Sequence, residues 1–167
     1  VGEEQAEKVS TQAKGRGTRV HSILEQIVLG NSNYHHGHMP NNLSMAEAMA
    51  NVLRARARII KGVEIGLWSD KLQIAGRTDC LGTFDDLMSI IDFKTAKNLK
   101  KIEDIEGYFL QTTLYAMMVE ELLGLYVPQL VVIIGVDFEE PQVFIKRKAL
   151  YVSKIMELIK LTEDNVG

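Results

Sequence analysis

Very little in this chain can cross-link it, anchor it in a lipid bilayer or attract a polyanion over its whole surface. The one cysteine, Cys80, excludes an intrachain disulfide framework and a cysteine-held cluster. It fits a reducing, intracellular setting. No stretch approaches eighteen uninterrupted apolar residues, which argues against a membrane span. The longest apolar run, Leu130 to Val136 with Gly135 inside it, has the length of a buried strand. Net positive charge is also missing: the formal charge is −3 and the pI about 5.8. A nucleic-acid partner would therefore have to be met by local basic patches rather than by a basic whole. The chain begins at Val1 without a methionine and shows no signal-peptide pattern, as expected of a processed chain or a piece of a longer one.

What remains is ordinary globular material, with 46% hydrophobic and 25% charged residues over 167 positions. That length is most simply one domain. A helical region over 1–60, with a loop at 31–43, precedes a sheet core with helices over 61–167. Residues 3–14 read as an exposed helix interrupted at Gly15-Arg16-Gly17-Thr18, with Thr18 as the N-cap of a new helix over 18–29. Val20, Ile23, Leu24, Ile27 and Val28 give that helix a buried face, and His21 and Glu25 lie beside it, one turn apart. The loop holds His35, His36 and His38, for which a solvated Gly/Asn/Pro-rich segment is the commoner explanation than a metal site. A second helix is expected from Ser44, with Glu47 completing a capping box. Arg54, Arg56 and Arg58 at its end either complement the helix dipole or contact phosphate.

From Gly62 the period changes to that of strands: Val63 to Trp68, then Leu72 onward to Thr78 or Phe84, then Leu87 to Thr95, with turns at Ser69-Asp70-Lys71 and Asp85-Asp86. A helix over 102–123 closed by Gly124, strands at 129–136 and 142–146, and a final helix over 148–162 complete an α-α-β-β-β-α-β-β-α order. This succession predicts an α/β protein with a mixed central sheet flanked by helices.

The chemistry concentrates between Gly76 and Lys94. Asp79 and Asp92 supply carboxylates from adjacent strands. Strand alternation puts Asp92 and Lys94 on one face and sends Phe93 to the other, leaving its carbonyl as a further oxygen donor. Oxygen donors of this kind suit Mg²⁺ or Mn²⁺, and His21 can complete the shell through an imidazole nitrogen. Lys94 can orient or deprotonate water, or stabilise charge that develops on a phosphorane. Glu64 either reaches the site through a water or caps the sheet edge, and Glu25 resembles it more weakly. Arg16 and Arg19 before His21, and Lys97, Lys100 and Lys101 after the Asp92 strand, form a basic rim that would reconcile an acidic pI with DNA binding. Tyr34 and Trp68 are candidates for stacking on unpaired bases, although Trp68 in an alternating strand is equally a core residue.

Gly76-Arg77-Thr78-Asp79 followed by Ile91-Asp92-Phe93-Lys94-Thr95 resembles the signature of PD-(D/E)XK nucleases. Gln111 and Tyr115 are similar to the Gln-x-x-x-Tyr element of the RecB-like branch, and Gly17-Thr18-Arg19-Val20-His21 to its helical histidine motif. Within the branch the likeness is greatest to mitochondrial genome maintenance exonucleases and related phage exonucleases, which favour single-stranded DNA ends. The resemblance implies a restriction-endonuclease-like αβββαβ core. It also implies a Mg²⁺- or Mn²⁺-dependent DNA exonuclease of replication, recombination or repair. Such an enzyme would work in a bacterial or phage-infected cytoplasm or in a mitochondrial matrix. On that resemblance Asp79, Asp92 and His21 hold the metal, Lys94 activates, and Gln111 with Tyr115 positions Lys94 and the strand. Thr78 stands where the family commonly has proline, which removes none of the chemistry. The four cluster-binding cysteines of some relatives are absent, which points to a type without an iron–sulfur cluster. A structure-selective endonuclease, the nuclease module of a larger repair complex, and a non-catalytic DNA-binding scaffold are the alternatives. The oligomeric state is open, a monomer included.

Overall fold

The computed structural model describes residues 2–164. Its elements are α1 (Gly2–Val28), α2 (Pro40–Arg56), β1 (Ile60–Ser69), β2 (Ile74–Phe84), β3 (Leu87–Ala96), α3 (Glu106–Leu123), β4 (Gln129–Val136), β5 (Gln142–Arg147) and α4 (Val152–Asp164). Short 3₁₀ turns at Ile102–Ile105 and Lys148–Leu150 lead into α3 and α4, where uninterrupted helices were expected. No described helix is long and apolar enough to cross a membrane.

One mixed sheet runs in the order β1-β2-β3-β4-β5. The first three strands form an antiparallel meander, β3 and β4 are parallel with α3 as their connection, and β5 returns antiparallel on β4. A parallel pair needs such a crossover, and a strand covered on both faces can be apolar throughout. Every residue of β4 is buried accordingly. On one face, Cys80, Phe84, Ile91, Phe93, Val131 and Ile133 pack against Val20, Ile23 and Leu24 of α1 and Met49 and Leu53 of α2. On the other, Leu81, Ile90, Leu130, Val132 and Ile134 pack against Phe109, Ala116, Met118 and Val119 of α3.

Two expectations about the N-terminal helices are corrected. There is no break at Gly15–Thr18, for α1 is continuous from Gly2 to Val28. Two glycines lower helix propensity by about 1 kcal/mol each, but a tertiary tether holds the segment: Nη1 of Arg16 donates to both carboxylate oxygens of Asp137, at 2.8 and 2.6 Å. Thr18 caps nothing; its hydroxyl donates to the Lys14 carbonyl one turn back. Likewise α2 starts at Pro40 and not at Ser44, because a proline in the first turn brings a helical φ and needs no N–H partner. At the far end of the β2–β3 hairpin, Asp85 and Asp86 both take positive φ (49° and 65°), as a two-residue hairpin turn requires. Their carboxylates engage Arg56 and Arg58.

β1 and β2 carry a local roll. Val63 packs with the α1/α2 core, whereas Ile65 and Leu67 pack with α3. Between them Glu64 has φ 49°, a left-handed conformation that interrupts the alternation of side chains. The outer side of the hairpin beyond this point is exposed, and Trp68 is on it, 53% exposed, not in the core.

Close approach of β1 to β2 makes Gly82 the least tolerant glycine of the sheet: a Cβ there would lie 2.4 Å from the Ile59 carbonyl oxygen. Gly82→Ala is expected to destabilise by about 2–3 kcal/mol. Gly135→Ala, which would meet only the flexible side chains of Met45 and Met49, should have a clearly smaller effect. Urea unfolding of the two variants tests the ranking.

Candidate active site

The ladder between β2 and β3 ends at the pair Cys80–Ile91. Beyond it β2 stays with β1 and β3 with β4, so the sheet forks, and Asp79 and Asp92 are the first residues inside the fork. Divergence of the strands removes the backbone acceptor from the Phe93 N–H. The Asp79 side chain replaces it, accepting that N–H on Oδ2 at 2.8 Å. The other oxygen, Oδ1, lies 3.7 Å from Nδ1 of His21, which α1 delivers edge-on to the Phe93 ring. Glu64 completes the group. Its backbone kink turns the carboxylate inward, and one donor atom each from His21, Glu64 and Asp79 lie within 4.8 Å of one another. Among the described residues this is the one such group, so the loop histidines and Glu25 are outside it.

Asp92 stands beside this group, 3% exposed. Its Oδ2 is 3.1 Å from the Lys94 Nζ, yet it receives no aligned hydrogen bond and is a buried acceptor without a donor. Lys94 donates instead to Gln111 Oε1 at 3.2 Å and rests 4.9 Å from the centre of the Tyr108 ring. Tyr108, Gln111 and Tyr115 stand at i, i+3 and i+7, on one face of α3. The Tyr115 ring reaches across β2 because position 76 is glycine; a Cβ there would lie 2.8 Å from Cε1 of the ring.

Burial and crowding of like charge dominate the electrostatics. Burial, then the charge of Asp79, push the Asp92 carboxyl up to about 7, against the pull of Lys94. Burial also raises Asp79, less strongly because the Phe93 N–H stabilises its anion. For Lys94, burial acts downward, but Asp92 and Asp79 outweigh it and hold the ammonium above its usual range. The site is thus two carboxylates in low dielectric, partly compensated by the Lys94 ammonium, while Arg77 pairs with the third acid, Glu64, at 3.4 Å. Hard carboxylate oxygens with an imidazole, and a buried carboxylate oxygen short of a partner, are the donor set a divalent cation satisfies.

Asp79, Asp92, Lys94, His21, Gln111 and Tyr115 therefore converge, and the Phe93 side chain is buried on the opposite face, with its backbone lining the fork. Glu64 is grouped with His21 and Asp79, and Tyr108 was not anticipated although its helical spacing from Gln111 signals it. The basic rim is uneven. Arg16 is committed to Asp137. Arg19, Lys97 and Lys101 are exposed, and the Lys100 backbone is tied to the Gln142 side chain.

A family model described as the PD-(D/E)XK nuclease superfamily matches residues 38–158, more than half of the chain. Among solved structures, one similar to this chain is the crystal structure of a candidate exonuclease from Eubacterium rectale, with TM-score 0.58 and 13% identity. The likeness covers 90% of this chain and 66% of that one, so this chain spans just under two thirds of its length. No curated protein matches.

The raised Asp92 carboxyl gives a stability signature. Unfolding returns it to an ordinary value near 3.8, so between about 4 and about 7 the folded protein keeps a proton that the unfolded chain has lost. Stability without divalent ions should accordingly fall as pH rises through that window and level off above about 7. Asp92→Asn should flatten the slope, as read from urea midpoints in EDTA between pH 5 and pH 8.

Proposed function

The chain belongs to the PD-(D/E)XK nuclease superfamily, and from that premise we propose that it is a divalent-metal-dependent deoxyribonuclease. In this reading it hydrolyses phosphodiester bonds as an exonuclease on single-stranded DNA or frayed ends, in replication, recombination or repair. The observation that carries it is the fork: two carboxylates, an imidazole and a further glutamate converge beside one charged lysine. Asp79, Asp92 and His21, with Glu64 and the Phe93 carbonyl, are the residues that would hold Mg²⁺ or Mn²⁺. The bound ion supplies Lewis-acid neutralisation of the scissile phosphate and the leaving oxygen.

The protein's own residues do the rest. With its pKa held up by Asp92 and Asp79, Lys94 is an ammonium at neutral pH, which suits a donor better than a base. It orients the attacking water and stabilises the negative charge that builds on the phosphorane oxygens. Gln111 accepts from Lys94 and Tyr108 lies beneath its charge, so the ammonium is aimed rather than left to swing. Tyr115 packs over Gly76 and closes the α3 side of the fork. Because Asp92 holds a proton below about 7 in the ion-free protein, ion binding must displace it.

Asp92→Ala and Lys94→Ala should each lower Mg²⁺-dependent cleavage by at least about a hundredfold with unchanged circular dichroism. Near-full activity in either variant would remove the assignment. End-labelled single- and double-stranded oligonucleotides, run beside circular single-stranded DNA, test end dependence: an exonuclease leaves the circle intact. Calorimetric titration with Mn²⁺ should show proton release near pH 7 and affinity weakening about tenfold per pH unit well below it.

A further inference from the structure

We propose that Trp68 is a stacking platform for an unpaired nucleobase of the strand held at the fork, with Arg77 as the adjoining phosphate contact. The inference rests on the nuclease reading for its substrate class and adds a residue-level subsite to it.

The outer side of the β1–β2 hairpin is unusually bare. Gly66 pairs with Arg77 and Trp68 with Ala75, so these four residues share one face. All four are exposed, while Leu67 and Ser69 on the opposite side are buried. A Cβ placed on Gly66 meets nothing within 4 Å, so the surface beside Trp68 at that position is open. An indole 53% exposed between glycine and alanine contributes little to the core and leaves about half of its surface open to a partner. Every base has a π-face, so such a ring binds unpaired strands with little regard to sequence.

Position decides the occupant. Trp68 lies four residues along β1 from Glu64, about 13 Å at strand rise. Arg77 bridges that interval, its Nη1 3.4 Å from the Glu64 carboxylate while its side chain is largely exposed. The line from the metal-donor group through Arg77 to Trp68 thus alternates a cation-binding cluster, a guanidinium and an aromatic face. Each nucleotide of a single strand carries one backbone phosphate and one base projecting from its sugar, so a guanidinium beside an aromatic face matches its two chemical parts, and the arginine supplies the charge complement on an otherwise acidic protein. Tyr34 does not offer an equivalent surface, since its hydroxyl donates to Glu47 and its ring lies 3.9 Å from His35.

The chain contains one tryptophan, so its intrinsic fluorescence reports this position without labelling. Titrating the full chain with a single-stranded oligonucleotide in EDTA, where cleavage is suppressed, should quench the emission in a saturable manner. A blunt duplex of equal length, whose bases are already stacked, should quench much less. In Mg²⁺, Trp68→Ala should raise KM for single-stranded substrate about tenfold with a much smaller change in kcat, and Trp68→Phe should recover most of the loss. Absence of quenching overturns the platform whether or not the oligonucleotide is cut, as does equal quenching by blunt duplex or an unchanged KM in Trp68→Ala. Quenching without cleavage under any metal condition would leave the platform standing and remove the nuclease reading.

Discussion

The acceptance of the Phe93 N–H by the Asp79 carboxylate holds the middle of this molecule together. A sheet cannot fork without leaving backbone groups unpaired, and an unpaired buried N–H is costly. Here a carboxylate fills the gap, and in doing so it ties β2 to β3 just beyond the last pair of their ladder. The same side chain turns its second oxygen to His21 and Glu64. Closure of the fold and opening of the site are thus functions of one residue. Asp92 and Lys94 follow as neighbours on a strand whose register with β4 is regular from Ser89 to Ala96.

The site departs from what a core would choose. Two carboxylates share a low-dielectric space, one of them nearly dry, and a glutamate joins them through a strained backbone. Local conflict of this kind, surrounded by regular strands and an apolar interior on both faces of the sheet, is where function is expected in an otherwise consistent sequence. Lys94 relieves part of the conflict and is itself restrained by Gln111 and Tyr108, so its position is set from three sides.

Much of this architecture was legible beforehand because the strands alternate plainly. Period-two patterning put Asp92 and Lys94 on one face and Phe93 on the other, and the order of elements followed from runs of apolar residues between turns. What escaped was decided by contacts remote in sequence. Continuity of α1 through two glycines depends on Asp137, 121 residues from Arg16. Nothing around Glu64 announces a left-handed residue, since glycine or asparagine would be the usual signal. Trp68 lies in an alternating strand whose outer face is exposed only because the hairpin rolls where it leaves the sheet. Gln111 and Tyr115 were recognisable by resemblance, while Tyr108 needed the helical spacing to be extended one turn back.

Glu64 also bears on how this protein can be improved or eroded. A left-handed non-glycine residue holds about 1–3 kcal/mol of local strain, which most replacements at this position would keep and glycine would release. Selection for robustness alone would therefore favour a residue with no carboxylate. A thermally hardened variant that drifts to glycine at position 64 would be a more durable scaffold with a poorer cluster of donors, an instance of stability and activity pulling one codon in opposite directions.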